Sequence, residues 1–372
     1  MSNLIKINNA LIKADASIQV ANKLLATTNN SPELIPYRKR EKWGFCTLDK
    51  EIVIECMYES AGRFTEGFAS ICKNGKWGFI NRAGQEIIPC KYNIVWGFSE
   101  GLAPVEVNHK WGFIDKNGKE IINCKYDSVF DEKHIFFEGL ACVEYNNKWG
   151  YIDKAGIEVI PCIYNESWGF SENLAPVDIN RKWGFINIEG QVTIPCVYDV
   201  TYNFSDNLAL VRLNGKSGFV NKNGKVVIPC EYNKAWPFSE TLAPVAVNKM
   251  WGFIDKTGTE VIQSRYDDAN NFCEGLGRVK LNGKWGFVDR TGAEIIPFKF
   301  DRVHSFSEGL AMIKLNGKIG FINKNGDELI PCIYDYKRFA LGFNRFLDGI
   351  ACVKLNDKKG FIDKKGNQFW ED

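Results

Sequence analysis

Cysteine side chains recur at a fixed interval in this chain, and thiols could ligate a metal or form disulfides. The column reads Cys56, Cys90, Cys124, Cys162, Cys196, Cys230, Ser264, Phe298 and Cys332. Phenylalanine can replace neither a zinc ligand nor a disulfide partner, and no CxxC pair or suitably spaced histidine accompanies the column. The pattern therefore predicts buried, reduced thiols and no metal site.

Carboxylates also recur, and paired carboxylates could perform acid-base catalysis or bind Ca²⁺. They are Glu66, Glu100, Glu138, Glu172, Asp206, Glu240, Glu274, Glu308 and Asp348. A lysine column runs beside them: Lys42, Lys76, Lys110, Lys148, Lys182, Lys216, Lys284, Lys318 and Lys358. Charge pairing or turn capping is the simpler use of two such columns.

The remaining residues show no recognisable group of catalytic side chains. The three histidines, His109, His134 and His304, lie in unrelated contexts, and no phosphate-binding glycine motif occurs. We therefore expect no enzyme activity and no cofactor.

The element that positions these columns is a repeat marked by Trp-Gly. Its period is 34 residues, with longer steps after Trp111 and Ile319. The marker tryptophans are Trp43, Trp77, Trp111, Trp149, Trp183, Trp251 and Trp285, and Ser217, Ile319 and Lys359 take the same place in three units. A period of this length predicts a repeat architecture of about ten units.

One unit, from Leu102 to Phe136, shows the internal structure of the repeat. Leu102 to Val107 alternates as a half-buried strand should, and Asn108-His109 occupies the place of the Asn-Gly hairpin turn found in other units. Trp111 to Asp115 and Glu120 to Tyr126 follow as second and third strands. Each unit is predicted to be a three-stranded antiparallel meander.

These segments resemble the bacterial WG repeat family. The resemblance is carried by Lys76-Trp77-Gly78-Phe79-Ile80, by Ile87-Ile88-Pro89-Cys90-Lys91-Tyr92 and by Phe98-Ser99-Glu100-Gly101-Leu102-Ala103, and it covers roughly residues 41 to 366. It implies a β-rich repeat module associated with interactions, and it implies no catalytic motif.

The predicted fold is an all-β repeat protein whose units form an open superhelical array, with a closed propeller-like ring as the alternative. Tight turns argue against a parallel β-helix, and ten short units fit poorly with the usual four to eight larger blades. Residues 1–40 lie outside the period and have near-helical apolar spacing. We expect a short N-terminal α-helical cap over residues 1–40, or a partner-docking helix, followed by the repeat array over residues 41–372.

Charge and cysteine composition indicate which classes of partner and which compartment to expect. The net charge of +2, from 47 basic and 45 acidic residues, gives no electrostatic reason to expect nucleic acid or an anionic membrane. No stretch is long and apolar enough to span a bilayer, and twelve cysteines without an export signal indicate the cytoplasm.

The candidate partner-binding site lies in a variable column four residues beyond the tyrosine column. Five consecutive units carry an aromatic residue there: Trp96, Phe130, Trp168, Tyr202 and Trp236. A second candidate is Arg338, in the segment 336–345, which contains six extra residues relative to the other units. Aromatic residues anchor many interfaces, so a continuous stripe of rings would bind another protein. The alternatives are a glycan or cell-envelope ligand stacked on the rings, and simple packing between units. The Trp-Gly residues themselves are expected to pack in the core.

Overall fold

The computed structural model describes residues 33–130, 135–336 and 344–372. Within these ranges the chain forms ten mainly antiparallel sheets, one for each repeat, and contains no helix. The last sheet packs against the first, so the sheets are the blades of a closed β-propeller ring. The predicted open array is wrong, because the chain termini meet. No helix of the described residues is long and apolar enough to cross a membrane.

The blades are numbered in chain order, and blades 1 to 5 contain the first nineteen strands. Their bounds are β1 (Ile35–Lys39), β2 (Lys42–Cys46) and β3 (Ile52–Tyr58) in blade 1; β4 (Ser60–Thr65), β5 (Phe68–Lys73), β6 (Lys76–Asn81) and β7 (Glu86–Tyr92) in blade 2; β8 (Ile94–Val95), β9 (Leu102–Val107), β10 (Lys110–Asp115) and β11 (Glu120–Tyr126) in blade 3; β12 (Ser128–Val129), β13 (Phe136–Phe137), β14 (Leu140–Tyr145), β15 (Lys148–Ile152) and β16 (Glu158–Tyr164) in blade 4; β17 (Ala175–Ile179), β18 (Lys182–Ile186) and β19 (Val192–Tyr198) in blade 5.

Blades 6 to 10 contain the next nineteen strands, and the last strand of the chain pairs in blade 1. Their bounds are β20 (Val200–Thr201), β21 (Leu208–Leu213), β22 (Lys216–Asn221) and β23 (Val226–Tyr232) in blade 6; β24 (Lys234–Ala235), β25 (Ala243–Val247), β26 (Met250–Ile254) and β27 (Glu260–Tyr266) in blade 7; β28 (Asp268–Cys273), β29 (Leu276–Leu281), β30 (Lys284–Val288) and β31 (Glu294–Phe300) in blade 8; β32 (Arg302–Val303), β33 (Ala311–Leu315), β34 (Lys318–Ile322) and β35 (Glu328–Asp335) in blade 9; β36 (Phe346–Leu347), β37 (Ile350–Leu355) and β38 (Lys358–Asp363) in blade 10, followed by β39 (Trp370–Glu371).

The three-stranded meander predicted for the repeat is confirmed in blade 3. Strands β9, β10 and β11 match the predicted segments within one residue, and they pair in the order β11-β10-β9-β8. Both residues of the first turn, Asn108 and His109, have positive φ values of 51° and 61°, as a type I′ turn requires. Most blades add a short strand before the meander, which the sequence pattern did not predict.

The glycine of Trp-Gly lies opposite a bulge in the third strand. Trp111 pairs with Tyr126 and Phe113 pairs with Ile122, so Gly112 alone faces three residues of β11. A Cβ atom on Gly112 would lie 2.6 Å from the backbone nitrogen of Cys124, so another residue there would displace the strand. The bulged backbone of β11 therefore fills the space beside Gly112.

The inner strands are buried on both faces. Leu102 to Glu106 are all buried, so β9 is not the half-buried strand that its alternation predicts. The reason is that each blade lies between two others: Phe79 and Ile88 of blade 2 share one apolar cluster with Ala103 and Val105 of blade 3. The core is therefore a series of layers between neighbouring blades.

The acidic column links each blade to the next one. The carboxylate of Glu66 accepts the backbone amide of Gly101 at 3.1 Å, and it also accepts Lys116 Nζ at 3.0 Å, both from blade 3. Charge pairing and turn capping were predicted, but the lysine partner is not the residue before Trp-Gly. That lysine column pairs instead with the residue after the tyrosine, as Lys182 does with Asp199 at 2.6 Å.

The ring closes through both ends of the described chain. Strand β39 runs parallel to β1, with Arg38 paired to Trp370, and thereby completes blade 1. The Arg38 guanidinium donates to Asp372 Oδ1 at 2.9 Å and to the Lys359 carbonyl at 2.8 Å, while Tyr37 donates to Glu371 at 2.8 Å.

The predicted cap over residues 1–40 is wrong in its last residues. Ile35–Lys39 is strand β1 at the centre of blade 1, because these residues supply the strand that pairs with β2 and β39. The segment with near-helical spacing falls within residues 1–32, which lie outside the described residues.

Candidate binding clefts

The variable aromatic column continues the short first strand of its blade. The backbone amide of each member donates to a carbonyl of the next strand at 3.0–3.2 Å: Trp96 to Pro104, Phe130 to Cys142, Trp168 to Pro176, Tyr202 to Leu210 and Trp236 to Pro244. The column is therefore held against the sheet in one repeated geometry, which fixes where each side chain begins.

The rings do not form one continuous exposed stripe. Trp96 is half-buried with its ring centroid 4.6 Å from that of Trp111 in its own blade, and Trp168 is half-buried 5.5 Å from Trp183. A 5.8 Å contact joins Trp168 to Tyr202 of the next blade. Trp96 and Trp168 therefore pack largely against rings of neighbouring strands and blades.

Trp236 differs from the other aromatic members of the column. Its side chain is 38% exposed, whereas Trp96, Phe130, Trp168 and Tyr202 are all half-buried. Arg338 was also predicted to bind a partner, and it lies outside the described residues. Of the predicted site residues, Trp236 offers the most exposed aromatic surface.

Trp236 lines a cleft between blades 6 and 7 with a volume of about 280 Å³. Tyr202 and Leu210 form the wall from blade 6, and Trp251 forms part of the wall from blade 7. This apolar cleft opens beside a second hollow of about 860 Å³, which shares Arg212 with it and adds Lys249. We call the two hollows together the 6/7 cleft.

The 6/7 cleft has a basic rim. Arg212, Lys234 and Lys249 line it, and Asp267 is the acidic residue among its lining groups. The Asp267 carboxylate accepts the backbone amide of Gly283 at 2.8 Å, so it serves the neighbouring turn. An apolar floor with cationic edges favours an apolar ligand group that carries negative charge beside it.

An equivalent cleft of about 430 Å³ lies between blades 8 and 9 and has different chemistry. We call it the 8/9 cleft. Arg278 stands at the position of Leu210, Asn270 at that of Tyr202, and His304 at that of Trp236; Lys280 and Arg302 line it as well. The repeat thus places polar and cationic groups where the 6/7 cleft has an aromatic wall.

The cationic groups of the 8/9 cleft perturb one another. Burial, together with the nearby charges of Arg278 and Arg302, lowers the pKa of His304 from 6.5 to about 4. Burial also lowers the pKa of Arg278, and Asp268 partly offsets this. At neutral pH the imidazole is therefore uncharged, and the positive charge of the cleft resides on its arginines and Lys280.

Sequence reasoning missed Arg278 and the whole 8/9 cleft. The signal was present in the repeat: the position of Arg278 is apolar in several blades, where it holds Pro104, Pro176, Leu210, Pro244 and Met312. A charged residue in a mainly apolar inner-strand column departs from what packing requires. The search for aromatic residues passed over it.

Exposed apolar side chains on the edge strands follow the repeat. The second position of the long edge strand is exposed and apolar in six blades: Val53, Ile87, Val159, Val261, Ile295 and Leu329. Four of these six strands also carry a proline, such as Pro89 or Pro161, which removes a backbone donor from the edge and hinders pairing with another chain. Because these residues recur around the ring, they mark no single site.

The cysteine column lies beside the glycine of Trp-Gly. The Cys90 thiol contacts the Ile71 carbonyl at 3.7 Å, and burial raises the pKa of this thiol to about 11. Burial likewise raises the pKa of Cys162 to about 11. These thiols are protonated at neutral pH and therefore poor nucleophiles. The absence of metal stays a prediction.

Nine consecutive segments from residue 43 to residue 358 match the family described as WG containing repeat. The chain belongs to the WG repeat family. The matched segments run from one Trp-Gly position to the next, and they cover most of the ring. No curated protein matches the chain in sequence.

Solved structures resemble this WG repeat protein in fold alone. A structure described as the eukaryotic initiation factor is 10% identical with a TM-score of 0.53, and the match covers 80% of this chain and 93% of that one. BamB from Moraxella catarrhalis is 9% identical with a TM-score of 0.39, over 83% of this chain and 95% of that one. At such identities the likeness carries no information about partners.

Proposed function

We propose that this WG repeat protein is a non-catalytic scaffold that binds a segment of another protein in the 6/7 cleft. The observation that carries the proposal is the exposure of Trp236 beside Tyr202, at the mouth of a cleft with a basic rim. A partially exposed tryptophan in a concave, apolar site is the side chain most often found at the centre of an interface.

The charge of the rim specifies the kind of partner. Arg212, Lys234 and Lys249 surround the apolar wall, so the fitting ligand is an acidic segment with one aromatic or aliphatic anchor. Such a segment would insert its anchor against Trp236 and place carboxylates near the basic side chains. We further propose that this binding takes place in the cytoplasm, where the twelve cysteines would stay reduced.

A direct test uses a defined probe, a short fluorescent peptide with glutamates around one phenylalanine, and follows its anisotropy on titration with the full chain. Trp236→Ala should weaken binding by about 30-fold, the equivalent of about 2 kcal/mol at a central interface residue. Trp236→Phe should restore most of the affinity. The control is Lys225→Ala, an exposed residue that lies outside the cleft in the turn after β22 and should bind like the parent.

The partner itself can be found by placing the photo-reactive residue benzoylphenylalanine at position 236 in cells. The proposal expects a covalent adduct with one protein, and it expects that adduct to vanish when the basic rim is neutralised by Lys234→Gln and Lys249→Gln. If the peptide does not bind and no adduct forms, protein binding in this cleft is refuted.

A glycan is the second candidate, because Trp236 and Asn233 line the same cleft and sugars stack on tryptophan beside amides. The Asn233 Oδ1 atom already accepts the backbone amide of Asn248 at 3.2 Å, which leaves less of the amide for a sugar. A neutral glucose oligosaccharide in the same titration decides between the two. Binding of the sugar but not of the acidic peptide would replace the protein proposal by the glycan one.

A further inference from the structure

Arg278 is a half-buried cation in a strand position that is apolar in most blades. It lies on β29 and crosses to blade 9, where its Nη1 donates to the Val303 carbonyl at 3.1 Å; its Nη2 donates to Asn270 Oδ1 at 2.9 Å. Its Nε is buried and has no hydrogen-bond partner among the described residues. A buried, unpaired donor on a charged group costs free energy unless an acceptor reaches it.

Other cations face the same space. Lys280 and Arg302 line the 8/9 cleft together with Arg278, and His304 completes that wall. Arg302 is exposed, and its guanidinium lies 5.4 Å from the ring centroid of Tyr336, whose hydroxyl accepts a 2.7 Å hydrogen bond from it. Stacking of this kind restricts the guanidinium and holds it beside the cleft.

The carboxylates of the cleft are already engaged. One oxygen of Asp301 accepts Lys284 Nζ at 2.6 Å and the other accepts the backbone amide of Asn316 at 3.1 Å. The Oδ1 atom of Asp268 accepts the amide of Ala269 at 2.9 Å. Because Lys284 pairs with Asp301, the three cations of the cleft are balanced mainly by Asp268, and the cleft keeps an excess of positive charge.

We infer that the 8/9 cleft binds a small-molecule oxyanion, a carboxylate or phosphate group. Arg278 and Arg302 supply the charge-assisted hydrogen bonds, and the indole of Trp285 supplies an apolar wall for the rest of the ligand. The cleft of about 430 Å³ admits a small organic anion. This site is separate from the 6/7 cleft and does not depend on the protein-binding proposal.

The experiment titrates the full chain with inorganic phosphate and, separately, with citrate, by isothermal titration calorimetry at neutral pH and low ionic strength. At least one of the two should bind. Arg278→Leu should weaken that binding by about tenfold or more, as expected for loss of a charge-assisted hydrogen bond. Leucine is the matched substitution because Leu210 holds this position in blade 6.

Two further variants keep the result decisive. Arg302→Gln changes an exposed side chain, so the variant should fold like the parent chain. It should weaken binding of the same anion by about threefold or more. Arg212→Gln removes a cation from the 6/7 cleft and should leave the binding unchanged. Binding of phosphate alone assigns a phosphoryl ligand, and binding of citrate alone assigns a carboxylate. The inference is overturned if neither anion binds at millimolar concentration, or if Arg302→Gln binds as tightly as the parent chain.

Discussion

The 6/7 and 8/9 clefts differ at the same three positions of the repeat: Leu210, Tyr202 and Trp236 in the first become Arg278, Asn270 and His304 in the second. The backbone is the same in both, since Trp236 and His304 donate the same strand hydrogen bond at 3.0 and 2.9 Å. One cleft is therefore apolar with a basic rim, and the other is cationic within. The repeat therefore fixes the geometry of a cleft, while a few side chains set its chemistry.

Opening the ring should have the largest effect and should abolish the difference between the clefts. Removing residues 369–372 deletes β39 and the fully buried Phe369, and truncation of one such aromatic side chain costs about 3–5 kcal/mol. We expect a large drop in the urea midpoint, a larger hydrodynamic radius and loss of binding in both clefts. If the radius and the midpoint stay unchanged, the ring is not closed by this strand.

Exchanging Leu210 and Arg278 between the clefts should cost more stability in one direction than in the other. Leu210→Arg places a guanidinium beside Tyr202 and Trp236, neither of which offers an acceptor like the side-chain oxygen of Asn270. About 2–3 kcal/mol of stability should therefore be lost. Arg278→Leu inserts a residue that the repeat already accommodates. Its free energy of unfolding, determined from urea denaturation, should change by less than about 1 kcal/mol. Equal destabilisation by both changes would mean that the two clefts do not share one backbone geometry.

Truncation of the column tryptophans should separate packing from binding. Trp168 contacts the rings of Trp183 and Tyr202, so Trp168→Ala should cost about 2–3 kcal/mol of stability. Trp236→Ala should cost less than about 1 kcal/mol, because the ring is more exposed. The partner-binding role predicted from the sequence would instead make Trp168 dispensable for stability. A similar melting temperature for the two variants would restore that prediction.

The smallest effect concerns pH and the 8/9 cleft alone. The pKa of His304 is about 4 in the fold and 6.5 as its ordinary value, so between these values the unfolded chain binds a proton that the folded chain does not. His304 therefore leaves the free energy of unfolding unchanged above pH 6.5 and lowers it as the pH falls from 6.5 towards 4.

The urea midpoint should therefore decrease from about pH 7 to pH 5, a window above the ordinary pKa values of carboxylates. His304→Phe, which copies Phe130 of the same column, should lack this component. An identical pH dependence in the variant would show that His304 is not held neutral by the fold.

Much of the blade was predictable from the sequence. The Asn108-His109 turn and the alternation around it located β9, β10 and β11, because hairpin geometry is set by residues close together in the chain. Closure of the ring was not predictable, since it depends on small angles between blades that add up over the whole array. The pairing of Arg38 with Trp370 joins residues from opposite ends of the described chain.

The candidate site was only partly predictable for a related reason. The column of Trp236 was identified from its variability, but exposure depends on whether a neighbouring ring covers the side chain, as Trp183 covers Trp168. Arg278 could have been found by asking which residue departs from an apolar column. Its role becomes visible only where blade 9 brings Arg302 and His304 opposite to it.

We expect each cleft to have its own ligand chemistry, and one crossed binding measurement tests this most directly. The acidic peptide and the anion that binds best are each titrated against Trp236→Ala and Arg278→Leu. We predict that Trp236→Ala loses about 30-fold in affinity for the peptide and none for the anion, and that Arg278→Leu loses about tenfold for the anion and none for the peptide. Loss of both ligands by both variants, or of neither ligand by either, would contradict the account.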